Sequence, residues 1–266
     1  MPELPEAEAM RRRIAPAVEG RRITSLWSGR HDRAGWTARD RRELIGRRVE
    51  RAGRHGKLVF LEIEGGVVIV FRLGMSGRLV LRKAGDRHDR AAIEFADGTT
   101  LVFSDFRRFG AWRVLRGETP TDAFGQGPDA LSSGFTPATM ASASRRSVKS
   151  ALLDQSLVAG IGNIYACESL FAARIHPERA LRSLEARERA ALVRSIRRIL
   201  RASIRRGGAT LDDYRATEGE AGDYERWFAV FGREGGKCRG CGCDGGAVMR
   251  SVEGGRSSFF CPVRQR

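Results

Sequence analysis

"KLVFLEI" (57–63) and "GVVIVFRL" (66–73) lie two residues apart, and their reading decides the fold class. Both runs are short, rich in Val, Ile, Leu and Phe, and bounded by Gly or charged residues, which marks strands rather than helices. Four more runs of the same kind follow: "GRLVLR" (77–82), "AAIEFAD" (91–97), "TTLVFSD" (99–105) and "AWRVL" (111–115). Short strands at such close spacing predict a β-sandwich or barrel in the first half of the chain.

Working outward, the period changes on both sides. Residues 4–19 read as a helix with Leu4, Met10, Ile14 and Val18 on one face and Gly20 as its stop. Pro16 is expected to kink or shorten it. Residues 116–138 are rich in Gly, Pro, Ser and Thr, as a linker would be. Helical periodicity then appears in "RRSVKSALLDQSLV" (145–158), "NIYACESLFAARI" (163–175) and "LEARERAALVRSIRRILRASIRR" (184–206). In the last of these Leu192, Ile196, Ile199 and Ile204 are expected to pack inward. Its arginines take the other face, for the most part as a solvated surface, and Gly207 and Gly208 end it. The predicted class is α+β multidomain. Its parts are an N-terminal helix plus β-sandwich domain (1–115), a linker (116–138), a helical domain (139–228) and a C-terminal β-hairpin module (229–266).

The 266 residues suffice for two domains, and 41% hydrophobic content excludes a disordered chain. No apolar run approaches the roughly 20 residues of a membrane span, and the start lacks a signal-peptide core. A cytoplasmic protein is the expectation. The net charge is +16, from 48 basic against 32 acidic residues. That balance favours a polyanionic partner, nucleic acid ahead of an anionic membrane surface. Only four of the basic residues are lysine: Lys57, Lys83, Lys149 and Lys237. Of five cysteines, Cys167 stands apart, while Cys238, Cys241, Cys243 and Cys261 crowd the tail, a clustering that points to metal rather than disulfides.

The opening "MPELPEAEAM" (1–10) raises a chemical question. Removal of Met1 would make Pro2 the N-terminus and its nitrogen a secondary amine. An α-amino group has a pKa near 8, well below the about 10.4 of lysine, so it is partly neutral and can attack an electrophilic carbon. Glu3 beside it can shuttle protons. On the dipeptide alone, Pro2 as a plain helix starter is the simpler reading.

The wider pattern changes that weighting. "MPELPEAEAMRR" (1–12), "HGKL" (55–58), "LGMSGRL" (73–79), "DFRRFGAW" (105–112), "LLDQSLVAGIGNIYACESLFAARIHP" (152–177) and "TLDDYRATEGEAGDYERWFAVFGREGGKC" (210–238) occur in order along nearly the whole chain. Together they resemble the formamidopyrimidine-DNA glycosylase and endonuclease VIII family, and the formamidopyrimidine branch more closely. The resemblance implies a bifunctional DNA glycosylase and abasic-site lyase acting in base-excision repair. Its substrates would be oxidised purines in double-stranded DNA, and it would work as a monomer on the nucleoid. The alternatives are an oxidised-pyrimidine glycosylase of endonuclease VIII type and a damaged-DNA-binding protein without catalysis.

By the same resemblance, Pro2 attacks C1′ of the damaged nucleotide and Glu3 moves protons on the opened sugar. Glu6 either supports that sugar or is a first-turn acid favoured by the helix dipole. Lys57 binds phosphate at the lesion and donates a proton in β-elimination. Met75, Arg107 and Phe109 correspond to the family's trio that fills the gap left by an extruded base, with Arg107 on the orphaned partner; core packing is the competing reading for Met75 and Phe109. Asn163, after "GIGN", is expected on phosphate within a helix–two-turn–helix element. His88 and Arg145 fall at DNA-contact positions, and Lys149, one turn beyond Arg145, is a further basic candidate. Arg256 corresponds to the arginine that grips the lesion phosphates and assists δ-elimination.

The tail departs from the family pattern. Cys238-x2-Cys241 is followed by nineteen residues and then Cys261-x2-Arg264, where the family has a fourth cysteine. Arginine cannot ligate zinc, and a structural site needs four ligands. Two outcomes stay open: a three-cysteine or rearranged zinc site, for which Cys243 is the available substitute, or a hairpin that folds without metal.

Overall fold

A computed structural model describes residues 2–29, 35–210, 222–243 and 246–266. The chain forms two compact units, which divide between Phe124 and Gly125.

The first unit opens with α1 (Leu4–Val18). A reciprocal capping box between Glu3 and Glu6 starts this helix, and Pro5 lies in its first turn, where no intrahelical N–H is missed. Pro16 does not stop it, because the helix runs on to Val18. Then come β1 (Ile23–Ser28), α2 (Ala38–Leu44), β2 (Val49–His55), β3 (Leu58–Ile63), β4 (Val67–Arg72), β5 (Arg78–Leu81), β6 (Asp89–Phe95), β7 (Thr100–Ser104) and β8 (Ala111–Arg116). They build two antiparallel four-stranded sheets, ordered β1-β6-β7-β5 and β2-β3-β4-β8. Side chains of both sheets and of α1 share one core: Ala7, Met10 and Ile14 from the helix, Leu61, Ile69 and Phe71 from one sheet, Leu79, Ile93 and Phe103 from the other. The Phe71 and Phe103 rings meet across it at 5.6 Å. Each fully buried side chain of this size contributes roughly 1.5–3 kcal/mol.

The run "KLVFLEI" is apolar on both faces because both are covered. Val59, Leu61 and Ile63 point into the sandwich core. Leu58 and Phe60 pack on the other side with Val70, Leu115 and Phe124, next to the short helix α3 (Pro120–Ala123). Gly53 on β2 is required there, since a Cβ would lie 2.2 Å from the Phe60 ring. The strands β1 and β2 and the helix α2 have no counterpart in the sequence expectations.

In the second unit α4 (Val148–Leu153), α5 (Asn163–Ala173) and α6 (Ala186–Arg205) precede a hairpin of β9 (Met249–Glu253) and β10 (Arg256–Phe260). Helix α5 is the buried centre, packed by α4, α6 and β10. The Tyr165 and Ser203 hydroxyls join α5 to α6 at 2.6 Å. Leu192, Ile196 and Ile199 of α6 face inward as expected, whereas Ile204 is only half-buried. Ala130, Phe135 and Met140 are fully buried, so the segment after residue 125 contributes to this unit's interior.

Candidate active site and nucleic-acid interface

The N-terminal residues are held, not frayed. Pro2 is buried, as are Glu3 at 1% and Glu6 at 3% exposure. Glu6 Oε2 accepts from the Glu3 amide at 2.9 Å, which gives Glu6 the local task of a first-turn acid. A second carboxylate links this helix to the turn that bears Lys57. Glu8 accepts from Arg11, Arg12 and Arg54, and Arg54 Nη1 donates to the Gly56 carbonyl at 2.9 Å. Burial would raise the Glu8 carboxyl, but the hydrogen bonds from Arg11 and Arg12 and the charges of Arg11 and Arg54 outweigh it and hold the group at about 2. Lys57 lies in the β2–β3 turn, half-buried, one residue beyond Gly56 at φ 56°.

Two loops of the sandwich meet at one latch. Asp105, 1% exposed, accepts from the Ser76 hydroxyl through Oδ1 and from the Gly110 amide at 2.7 Å through Oδ2. Ser76 Oγ in turn accepts from the Arg107 amide at 3.1 Å. Gly74, at φ 62°, lies so close to the Phe109–Gly110 peptide that a Cβ would meet its atoms at 2.7 Å. The latch thus fixes the Met75 loop against the loop of Arg107 and Phe109. Phe109 is 54% exposed and Arg107 is exposed, its guanidinium 5.4 Å from the Phe109 ring centre. Core packing is therefore not the role of Phe109. Met75 is half-buried. His88 adjoins this loop: its carbonyl accepts from the Asp105 amide at 2.9 Å, and its ring meets Phe106 at 6.1 Å. Ser76 and Asp105 were inside the quoted motifs, yet their pairing across 29 residues left no periodic signal.

In the second unit the hairpin tip is gripped from below. Gly254 and Gly255 both take positive φ, as a two-residue hairpin turn demands, and Arg256 follows them, exposed. The Ser257 carbonyl next to it accepts from Lys149 Nζ at 2.8 Å and from Asn163 Nδ2 at 3.0 Å. Lys149 Nζ also donates to Ser258 Oγ at 2.8 Å, and Ser147 donates to Glu253 at 2.6 Å. Lys149 is 1% exposed. Lys149, expected as a further basic DNA contact beside Arg145, instead points its ammonium inward and positions the hairpin. Arg145 is exposed, with no ion pair among the described residues.

Residues 1–112 match the formamidopyrimidine-DNA glycosylase N-terminal domain and residues 126–215 the formamidopyrimidine-DNA glycosylase H2TH domain. A formamidopyrimidine-DNA glycosylase of Rhodopseudomonas palustris is 42% identical over 294 residues, with both chains wholly covered. The chain belongs to the formamidopyrimidine-DNA glycosylase family. Another relative of that name, from Cereibacter sphaeroides, is 42% identical over 284 residues, again across the whole of both chains. The crystal structure of the MutM (Fpg) protein of Thermus thermophilus is similar at a TM-score of 0.86 and 39% identity, covering 99% of this chain and 98% of that one. A Lactococcus lactis Fpg in complex with DNA containing an abasic site is similar at 0.87 and 30% identity, with 99% of each chain covered.

This family member keeps a metal-binding geometry despite the altered tail. Cys238, Cys241, Cys243 and Cys261 bring their sulfurs within 4.8 Å of one another. Separations of 3.3, 3.6 and 3.7 Å among them approach the spacing of thiolates about 2.3 Å from a shared tetrahedral zinc. Cys243 thus stands in the fourth place, and a three-cysteine arrangement is not what the fold presents. Gly246 must lack a side chain, because a Cβ would come 2.9 Å from the Cys243 sulfur. Arg264 serves the knuckle otherwise: it donates to the Phe171 carbonyl at 3.3 Å and the Gly240 carbonyl at 3.2 Å, and its guanidinium lies 4.8 Å from the Phe171 ring centre. Residues 211–221 of the expected 210–238 motif, and Met1, lie outside the described residues.

Proposed function

We propose that this chain is a bifunctional DNA glycosylase and abasic-site lyase that removes oxidised purines such as 8-oxoguanine and formamidopyrimidines. The observation that carries the reading is the N-terminus: a buried proline at the head of a capped helix, in a chain matched end to end by formamidopyrimidine-DNA glycosylases. The Pro2 nitrogen bonds to C1′ as the glycosidic bond breaks and the base leaves with a proton. Opening of the sugar, with Glu3 moving the proton at its ring oxygen, gives an iminium. The iminium withdraws electrons and acidifies the C2′ hydrogen, so the 3′ phosphate leaves by β-elimination and the 5′ phosphate follows by δ-elimination. Lys57 and Arg256 hold the flanking phosphates, with Asn163, Arg145 and His88 as further contacts along the backbone. Met75 and Phe109 occupy the space of the extruded nucleotide, and Arg107 hydrogen-bonds the estranged base. Zinc on Cys238, Cys241, Cys243 and Cys261 supplies structure to the hairpin module. Such an enzyme works on chromosomal DNA in the cytoplasm.

Borohydride reduction of the intermediate tests the reading. Protein with a processed N-terminus should be trapped covalently on abasic-site duplex, and an uncleaved N-terminal tag should abolish trapping and cleavage. Full activity with the tag in place would remove Pro2 as the nucleophile. Faster excision of thymine glycol than of 8-oxoguanine opposite cytosine would move the substrate class to oxidised pyrimidines.

A further inference from the structure

Helix α6 carries arginines at 194, 198, 201 and 205, a spacing of four, three and four that places all of them on one face. All four are exposed. This face is turned away from α5, because Leu192, Ile196, Ile199 and Ser203 of α6 are its buried side. Several arginines elsewhere in this protein are paired: Arg51 with Glu62, Arg82 with Asp89, Arg116 with Asp40, Arg179 with Glu188. Among the described residues, none of the four on α6 has an acidic partner, and neighbours of like charge at this spacing repel within the helix. At the C-terminal end Arg206 stacks on the half-exposed Trp227, its guanidinium 4.1 Å from the ring centre. An open groove of about 530 Å³ lies beside them, between Ala202, Arg205 and Tyr224.

We propose that this face is a second nucleic-acid surface, which takes the phosphate backbone of a duplex segment other than the one at the hairpin. The inference rests on the DNA-binding reading above. The four guanidiniums extend about 16 Å along the helix axis, and phosphates recur at roughly 3.4 Å per strand. Along the axis of a duplex lying parallel to it, such a row therefore spans about five base-pair steps. Guanidinium donors suit phosphate oxygens in pairs. A protein with two such surfaces can pass directly between two duplexes, which shortens its search for damage.

The test uses the full chain and a variant in which Arg194, Arg198, Arg201 and Arg205 are all changed to Gln, which keeps the stems and suits a helix. The readouts are dissociation from a labelled undamaged duplex against the concentration of unlabelled duplex, and the salt dependence of binding. For the native protein the dissociation rate should rise with competitor. For the variant that rise should fall at least about tenfold, and the salt slope should drop by up to about 3–4, at roughly 0.9 per lost phosphate contact. Single-turnover cleavage of a short lesion duplex should be unchanged in the variant. Equal transfer and equal slope in the two proteins would overturn the proposal. Loss of lesion cleavage would also overturn it, by placing these arginines at the first DNA surface. Loss of binding to polyglutamate, with DNA transfer intact, would assign the face to an acidic protein instead. Failure of the native protein to cleave any lesion would refute the enzymatic reading while leaving the transfer result to stand alone.

Discussion

Asp105 shows how one side chain can set an exposed surface it does not belong to. Its carboxylate ties Ser76 and Gly110, and it faces the Arg90 guanidinium, 3.6 Å away and 8% exposed. Asp105→Ala would remove a carboxylate from beside a buried cation and release both loops at once. Loss of one partner of a buried pair costs about 3 kcal/mol or more, so a drop of that size in urea unfolding is expected. If Arg107 reads the estranged base, the same variant should lose preference for cytosine over adenine opposite 8-oxoguanine, a discrimination of about 1–3 kcal/mol for one good bidentate contact. A variant destabilised to that extent yet as selective as the native protein would show that the latch is not what aims Arg107. The exposed members of this surface were legible in the sequence as Gly-flanked motifs. The latch was not, because a buried Ser–Asp pair has no local period and the partners lie in different turns.

At the scale of elements, α1 and the hairpin are held in place through charged ties. Glu8 joins α1 to β2 by way of Arg54, and its carboxyl, ordinarily near 4.5, is held at about 2. A carboxyl depressed on folding stabilises the native state above its unfolded value, and this contribution is lost as pH falls from there toward the folded one. A shift of that size is worth at most about 3.5 kcal/mol, and partial screening around the exposed Arg12 brings it toward about 2. Native protein should therefore exceed Glu8→Gln in stability at pH 7, and the gap should close between about pH 4.5 and pH 2; a gap independent of pH would assign the loss to packing. In the second unit Lys149 holds the Ser257 carbonyl from α4. Lys149→Met should leave the salt dependence of DNA binding unchanged, since no phosphate contact is removed. It should slow δ-elimination relative to β-elimination, because Arg256 loses its footing; a shallower salt slope would restore Lys149 to the surface. The elements that sequence reading found are those with apolar runs or a clean helical stripe. It missed α2 (ARDRREL), whose buried residues are only Asp40 and Leu44, and β2 (VERAGRH), where arginines and Gly53 disguise a strand that pairs with β3 across a bulge between Val49 and Arg51.

Across the whole molecule, the order of the motifs made the fold class readable, while the four-cysteine cluster depended on a fold that spacing alone does not give. By position the fourth ligand is missing, since Arg264 stands where a cysteine is expected. In space Cys243 reaches the same cluster, because the chain doubles back through Gly240 and Gly242, both at positive φ. The two cysteines of the C-x-C step, Cys241 and Cys243, then flank the Cys261 sulfur. A tetrathiolate zinc would carry two negative charges, and Arg264 lies against the knuckle to offset them while stapling Phe171 and Gly240. Metal analysis should return about one zinc per chain. Cys243→Ser should shed the metal to a chelator far faster than the native protein. Arg264→Cys in the native background should not tighten binding, because the four places are already filled and a staple is lost. In the Cys243→Ser background the same change should restore retention only in part. If instead Cys243→Ser keeps zinc as the native protein does, or Arg264→Cys alone slows its release, the fourth ligand is not Cys243 and the cluster closes in another way.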